Sequence, residues 1–278
     1  MDDLNLGAVT YGDPVSAGEN LDATAAAVTA SSLAELSWVD DGGGPRVLGV
    51  VVLLRQNRPA VAFTYADEAL ARAVAAAGSV TLSLTEPRST GADFRPLLAR
   101  GRPLLVEDPD GDLYAADLLL QELRRYPPSR VYVDSPLLQR ENWWYLPRLV
   151  VELDVQAVEP LRARESADDQ LLVVAGGDGL DVHVARTPAA GRGRLALEVD
   201  GAPPSGPAVL FSQDASFPDL ENWSQWSYRG AWDGAVFTVQ EAPAAVGLGP
   251  PLGLRQRWRR HRDLERRCVA ALSKRGGR

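Results

Sequence analysis

Short apolar runs of strand-type residues recur along this chain, and turn residues separate them. Residues 46–54 (RVLGVVVLL), 60–65 (AVAFTY) and 79–84 (SVTLSL) are rich in Val, Leu and Phe, and the turn DDGGGP fills residues 40–45. Runs of this length, bounded by Gly, Pro and Asp, are typical of strands in a β-meander. The same rhythm returns after residue 169. This pattern predicts a mainly β protein.

Helical spacing is confined to a few segments. Residues 66–78 and 113–126 have apolar residues at helical intervals, and residues 254–273 form a last candidate helix. Asp67 and Glu68 would lie in the first turn of the helix over 66–78, where the helix dipole favours acidic side chains. The predicted fold class is therefore mainly β with a few helices.

Two shorter segments complete the assignment. Residues 130–135 (RVYVDS) are β-branched and aromatic, which predicts a short strand. Residues 223–229 (WSQWSYR) have no continuous apolar run, which predicts a loop between two strands of the second half.

Composition excludes several classes of protein. The chain has 278 residues and a formal net charge of −8, so nucleic acid is an unlikely main partner. One cysteine and two histidines exclude a disulfide scaffold and the usual Cys/His zinc site. No apolar run reaches about 18 residues and the N-terminus does not resemble a signal peptide, which predicts a cytoplasmic protein without a membrane span. The single lysine among 29 basic residues is typical of a GC-rich bacterial genome.

The second half of the chain repeats features of the first. The triplet Glu-Asn-Trp occurs at 141–143 and again at 221–223, each time after an apolar strand and before a terminal strand. This echo predicts an internal duplication, and coincidence between two unrelated β units is the alternative. The predicted division is an N-terminal segment with a short helix (1–32), a first domain (33–161), a second, helix-poor β domain (169–246) and a basic C-terminal helix (252–278).

The order of strands, turns and helices resembles a known family. The segments DDGGGPRVLGVVVLL, PAVAFTYADEALARAVAAAGSVTLSL and WYLPRLVVELDVQAVEPL resemble the pyridoxamine 5′-phosphate oxidase-like family, which has the FMN-binding split β-barrel fold. The second half, with PAVLFSQD and WSYRGAWDGAVFTVQEA, resembles a helix-poor version of the same barrel, as in two-part actinobacterial members. The resemblance implies a split barrel followed by a second split-barrel-like half.

The resemblance also implies where a flavin would bind. In that family FMN lies at a dimer interface, and a Thr or Ser near the end of the third strand and a Lys or Arg in the next helix hold its phosphate. Thr64 matches the first position, and Arg72 lies two residues beyond the second. Arg46 is another candidate cation, and Trp143 belongs to an aromatic cluster that can stack on a flat ligand or fill a barrel core.

Three further features have two interpretations each. Arg148 can bind an anion, but a pair with Glu152 or Asp154 is the favoured interpretation. His261 lies among arginines on the last helix and is predicted to be solvated. Segment 252–278 has a net charge of +8 against −16 for the rest of the chain. It is predicted to dock on the acidic body or on a partner subunit, with a nucleic-acid or anionic-membrane anchor as the alternative.

Three functions stay open from the sequence. The first is an FMN- or F420-dependent oxidoreductase acting on a small molecule, in which the cofactor supplies the chemistry. The second is a cofactor-free binding or assembly protein, since acidic residues occupy the turn where a phosphate would bind. The third is a haem-binding split-barrel protein. A homodimer is compatible with each of the three, and no catalytic residue is predicted.

Overall fold

A computed structural model describes residues 17–86, 88, 94–166, 168–177, 179–187 and 193–276. The first 16 residues of the predicted N-terminal segment lie outside this description. The described strands, in chain order, are β1 (Leu33–Val39), β2 (Pro45–Val51), β3 (Leu53–Arg55), β4 (Arg58–Thr64), β5 (Val80–Leu84), β6 (Leu97–Asp108), β7 (Arg148–Pro160), β8 (Asp169–Gly176), β9 (Gly179–Arg186), β10 (Arg194–Ala196), β11 (Glu198–Val199), β12 (Gly206–Ala215), β13 (Trp223–Trp232) and β14 (Val236–Glu241). The described helices are α1 (Ala17–Ala30), α2 (Glu68–Ala76), α3 (Leu119–Arg125), α4 (Arg130–Val133), α5 (Pro136–Glu141) and α6 (Leu254–Gly276).

The first sheet is a nearly closed barrel. Its strand order is β2-β1-β5-β6-β7-β4-β3. Strands β2 and β3 lie at opposite ends of this order, although only Val52 separates them in the chain. The sheet must therefore curl until its ends meet. Leu36, Trp38, Phe63, Leu82 and other buried side chains fill its interior.

The second sheet repeats the topology of the first. Its order is β10-β14-β13-β12-β8-β9-β11. Six strands of the second sheet correspond one to one with six strands of the first. In sheet order they are β9-β8-β12-β13-β14-β10 and β2-β1-β5-β6-β7-β4, and the corresponding strands also follow one another in the same order along the chain. The end strands β10 and β11 are again separated by one residue, so this sheet also curls. The predicted fold class, a mainly β split barrel followed by a helix-poor second half, is confirmed. The predicted domain limits stay a prediction.

A shared irregularity supports the repeat more strongly than the Glu-Asn-Trp triplets do. The β6–β7 ladder has a bulge opposite Arg100 and Gly101, and the counterpart β13–β14 ladder has one opposite Arg229 and Gly230. At each glycine a Cβ atom would overlap a carbonyl oxygen of the next strand. The triplets are not equivalent, because 141–143 precedes β7, whereas 221–223 precedes β13, the counterpart of β6.

Two predicted elements differ from the structure. Residues Arg130–Val133 form helix α4, not a strand, because Pro127 and Pro128 start a helical turn and only Val133 of this short helix is buried. Residues 223–229 belong to strand β13, not to a loop. Tyr228 and Trp232 face the core of the second barrel. Ser224 and Gln225 together interrupt the alternation of aromatic and polar residues, so the segment lacks the regular period of two that marks a strand.

The two barrels contact each other through an apolar layer and through polar side chains, among them the buried pair Gln213 and Glu35. Val39 and Val47 of the first sheet meet an apolar face of the second that includes Val173, Val182 and Phe211. Gln225 exchanges two hydrogen bonds of 2.9 Å with the backbone of Gly49 in β2. None of the described helices has the length and apolar composition needed to span a bilayer.

Candidate functional site

A cleft of about 1270 Å³ opens between the first barrel, the α3–α5 helices, helix α6 and a loop of the second half. Residues 48–51 of β2 and 61–64 of β4 form its barrel wall. Trp223 and Gln225 of β13 close one side, and α6 lies opposite. The cleft therefore needs both halves of the chain and the C-terminal helix.

Helix α6 docks on the body of the protein. This is the favoured prediction for the basic C-terminal segment. Arg267 donates to the carboxylate of Asp67 at 2.8 Å. Arg275 bonds the carboxylates of Glu68, at 2.9 Å, and Glu107. Hydrogen bonds from Arg275 and Arg72 lower the pKa of Glu107. The acidic first turn of α2 is therefore neutralised from within the chain.

The structure does not bring the four predicted cofactor residues together. Thr64 lines the cleft, where its hydroxyl donates to Asp67 at 3.2 Å. Arg46 opens β2 and pairs with Asp40 at 2.5 Å, away from the cleft lining. Arg72 is held by Glu68 and Glu107. The role of these residues in binding a cofactor stays a prediction.

Trp143, the fourth of these residues, is not part of the cleft lining. Its side chain is 52% exposed, whereas the adjacent Trp144 is buried. The aromatic residues of the cleft come instead from other positions and are Phe63, Tyr126, Tyr132, Tyr145, Trp223, Trp258 and His261.

His261 on α6 is partly buried in the cleft wall, which corrects its prediction as a solvated residue. Its ring stacks on Tyr132, with centroids 5.1 Å apart, and meets Trp144 edge-on at 5.6 Å. No hydrogen bond to its ring nitrogens is found among the described residues. The prediction failed because the neighbouring arginines suggest solvent, whereas His261 lies on the face of the helix that docks on the body.

Arg148 is the second cleft residue whose surroundings differ from the prediction. Glu152 pairs with Arg55 at 2.5 Å, and Asp154 lies within 3.9 Å of Arg58. Arg148 instead lies at the start of β7 beside Glu122 of α3, at the limit of ionic contact (4.0 Å). Arg148 and Glu122 are 26 residues apart in the sequence, so no local pattern could predict that they would meet.

Cys268, the only cysteine of the chain, reports whether α6 is docked. Its side chain is fully buried against Tyr114, Tyr145 and Val150, and burial raises the pKa of its thiol. Replacing Arg275 by alanine removes two ion pairs that hold α6, so the helix should undock more often. We expect the thiol to react with a disulfide reagent about 3–5 times faster, as the loss of partly exposed ion pairs implies.

The matched control for this experiment is Arg259→Ala, because no ion pair of Arg259 is found among the described residues. Its thiol should react at the rate of the unmodified chain. Equal rates for all three proteins would contradict the assignment of Arg275 as a latch of α6.

Comparison with known proteins gives no family assignment. No protein-family profile matches this sequence, and no curated protein matches it. Among the described residues no group of three His, Cys, Asp or Glu side chains is placed to hold a metal ion.

Solved structures with detectable likeness share little sequence with this chain. A haem binding protein from Mycobacterium smegmatis is 14% identical, with a TM-score of 0.35, and the match covers 93% of this chain and 100% of that one. The haem storage protein HutZ from Vibrio cholerae is 14% identical over 50% of this chain and 92% of its own, with a TM-score of 0.35. A pyridoxamine 5′-phosphate oxidase-related, FMN binding protein from Nostoc punctiforme is 13% identical over 64% of this chain and 95% of its own, with a TM-score of 0.32.

Proposed function

We propose that this chain binds a flat, anionic cofactor in the α6 cleft and that this cofactor is haem. The observation that supports the proposal is the position of His261 in the cleft wall, without a hydrogen-bond partner among the described residues. A neutral imidazole nitrogen is a common axial ligand of haem iron. The other histidine, His183, lies on β9 of the second barrel and is not among the residues that line the cleft.

The surroundings of His261 fit the rest of such a cofactor. Arg257, Arg260 and Arg262 lie on the same helix and also line the cleft. Arg257 pairs with Glu221 and Arg262 with Glu265, whereas no ion pair of Arg260 is found among the described residues. Guanidinium groups form charge-assisted hydrogen bonds with carboxylates, so Arg260 would hold a propionate group. Tyr126 and Trp223 offer aromatic surface on the other wall, where their rings meet edge-on with centroids 6.0 Å apart. Bound haem would supply the redox chemistry, and the chain would position it.

A flavin-dependent oxidoreductase using FMN or F420 on a small molecule is the second candidate. The observation that favours it is the pairing of Thr64 with Arg148 in the β4–β7 ladder, which places a hydroxyl and a cation side by side at the cleft. Arg46 and Arg72, however, already hold carboxylate partners, so haem fits the available groups better than a phosphate at the predicted position does.

The test is an absorption spectrum of the purified protein, followed by titration with haemin, FMN and F420. We expect haemin to give a Soret band that changes in His261→Ala, with an affinity lower by about 10-fold or more. The matched control, His183→Ala, should bind haemin as the unmodified chain does. Unchanged haemin binding in His261→Ala would contradict the proposed ligand.

Two other outcomes lead to the alternatives. Tight FMN or F420 binding that is lost in Thr64→Ala would replace haem by a flavin. A protein that binds none of the three cofactors would leave the cofactor-free binding or assembly protein.

A further inference from the structure

Arg148 is a buried cation at the inner end of the cleft. Its side chain is 1% exposed, and it is among the residues that line the cleft. The guanidinium lies between two aromatic rings, with its central carbon 4.0 Å from the ring centre of Tyr114 and 4.1 Å from that of Tyr145. Stacking on both faces fixes the plane of the guanidinium and leaves only its edge for hydrogen bonds.

One edge of this guanidinium has no hydrogen-bond partner. Nη1 donates to the carbonyl oxygen of Pro147 at 3.2 Å. Nε and Nη2 are buried and make no well-formed hydrogen bond. The hydroxyl of Tyr114, which is also buried without another partner, interacts only weakly with the guanidinium. The carboxylate nearest to this guanidinium is that of Glu122. Its Oε1 is 4.0 Å from Nη2, which is beyond hydrogen-bond distance. That oxygen already accepts a hydrogen bond of 2.7 Å from the hydroxyl of Tyr145.

The two unpartnered nitrogens belong to the same edge. Nε and Nη2 carry parallel N–H groups, which is the arrangement that binds both oxygens of a carboxylate or two oxygens of a phosphate. A buried charged group without hydrogen bonds is unfavourable, so an edge of this kind marks a place for a partner. Burial opposes the charge of Arg148 and the nearby Glu122 favours it, and the ordinary pKa of a guanidinium lies so far above neutral pH that the group stays charged.

We propose that the Nε–Nη2 edge of Arg148 binds an oxyanion, a carboxylate or phosphate group of the molecule that occupies the cleft. The proposal rests on the proposed function only for the identity of that molecule. The described side chains leave almost no open surface at Arg148, and Cys268 of α6 is buried in the same cluster. The proposal therefore requires that α6 moves away from the barrel, so that an oxyanion can reach this edge.

The first test uses small anions and does not need a cofactor. Acetate and inorganic phosphate are added at an ionic strength matched with sodium chloride, and the melting temperature is measured. At about ten times the dissociation constant we expect a rise of about 2–4 °C in the unmodified chain. Arg148→Lys keeps a positive charge but loses the two-pronged edge, so the rise should vanish. Arg194→Lys in β10 is the matched control and should keep it.

A second variant keeps the test decisive if Arg148→Lys does not fold. Glu122→Gln retains an acceptor for Tyr145 and removes the negative charge nearest to the edge. Its affinity for acetate or phosphate should rise by about 3–10-fold, because a like charge no longer opposes the anion. A melting-temperature rise that is equal in the unmodified chain and Arg148→Lys, or an affinity unchanged in Glu122→Gln, would overturn the proposal.

Paired ligands then identify the source of the oxyanion. Haemin is compared with its dimethyl ester, and FMN with riboflavin, which lacks the phosphate. If Arg148 binds a propionate, the unmodified chain should prefer haemin by about 10-fold, and Arg148→Lys should lose a large part of that preference. Anion binding that depends on Arg148 without any haemin binding would contradict the proposed function alone. Haemin binding that depends on His261 and on esterification, but not on Arg148, would contradict this inference alone.

Discussion

Replacing Arg164 by alanine should lower the free energy of unfolding by about 3–5 kcal/mol, the cost of leaving a buried carboxylate without its ionic partner. Arg164 donates to Glu35 at 2.7 Å and to the hydroxyl of Thr85 at 2.9 Å. Glu35 is fully buried and also accepts a hydrogen bond of 2.8 Å from Gln213 of the second barrel. The variant therefore destabilises the junction between the two barrels.

The loss should depend on pH in a defined direction. Burial raises the pKa of Glu35, and Arg164 is the main group that lowers it again. A carboxyl whose pKa is higher in the folded than in the unfolded chain loses stability as the pH rises through its folded pKa. Without Arg164 that pKa rises further. Urea unfolding should therefore give a larger deficit at about pH 8 than at about pH 5.

Two further variants separate the buried charge from other effects. Arg194→Ala removes an exposed pair with Asp233, whose atoms lie 3.7 Å apart, and should cost less than about 1 kcal/mol. The double variant Glu35→Leu/Arg164→Met leaves no uncompensated charge and should recover at least half of the loss. A deficit in Arg164→Ala no larger than in Arg194→Ala would show that the pair is not a main contributor to stability.

Alanine at either bulge glycine should destabilise the protein by about 3 kcal/mol, near the upper end of what overpacking usually costs. A Cβ atom at Gly101 would overlap the carbonyl oxygen of Asp154, and one at Gly230 would overlap that of Thr238. Both oxygens belong to neighbouring strands, so the backbone must move to make room. Because the two glycines occupy the same place in the two barrels, their losses should be similar.

Gly78→Ala is the matched control for the two bulges. A Cβ atom at Gly78 has no neighbour within 4 Å and the residue has an ordinary φ, so its unfolding free energy should change by less than about 0.5–1 kcal/mol. The measurement is urea unfolding of the three variants by circular dichroism. A loss at Gly101 but none at Gly230 would argue that the two bulges are not structurally equivalent.

The pattern of short apolar runs was sufficient to predict most strands of both halves, because a buried strand needs apolar residues with period two or in a continuous run. The helix that follows β4 was equally accessible, since Asp67 and Glu68 mark its start. Residues 130–133 and 223–229 were assigned wrongly. In those segments local composition and the final structure disagree, and packing against distant elements decides the outcome.

The candidate site depended almost entirely on tertiary structure. Arg164 and Glu35 are 129 residues apart, and Arg267 and Asp67 are 200 apart. Periodicity and turn signals act over a few residues, so the sequence by itself predicted most of the strands and the helix-poor second half, but not how the strands pair. Whether an arginine is available to bind a ligand depends on whether the fold brings a carboxylate from a distant segment next to it. Only the folded chain decided that Arg72 is paired, that Arg148 keeps an open edge and that His261 faces the cleft.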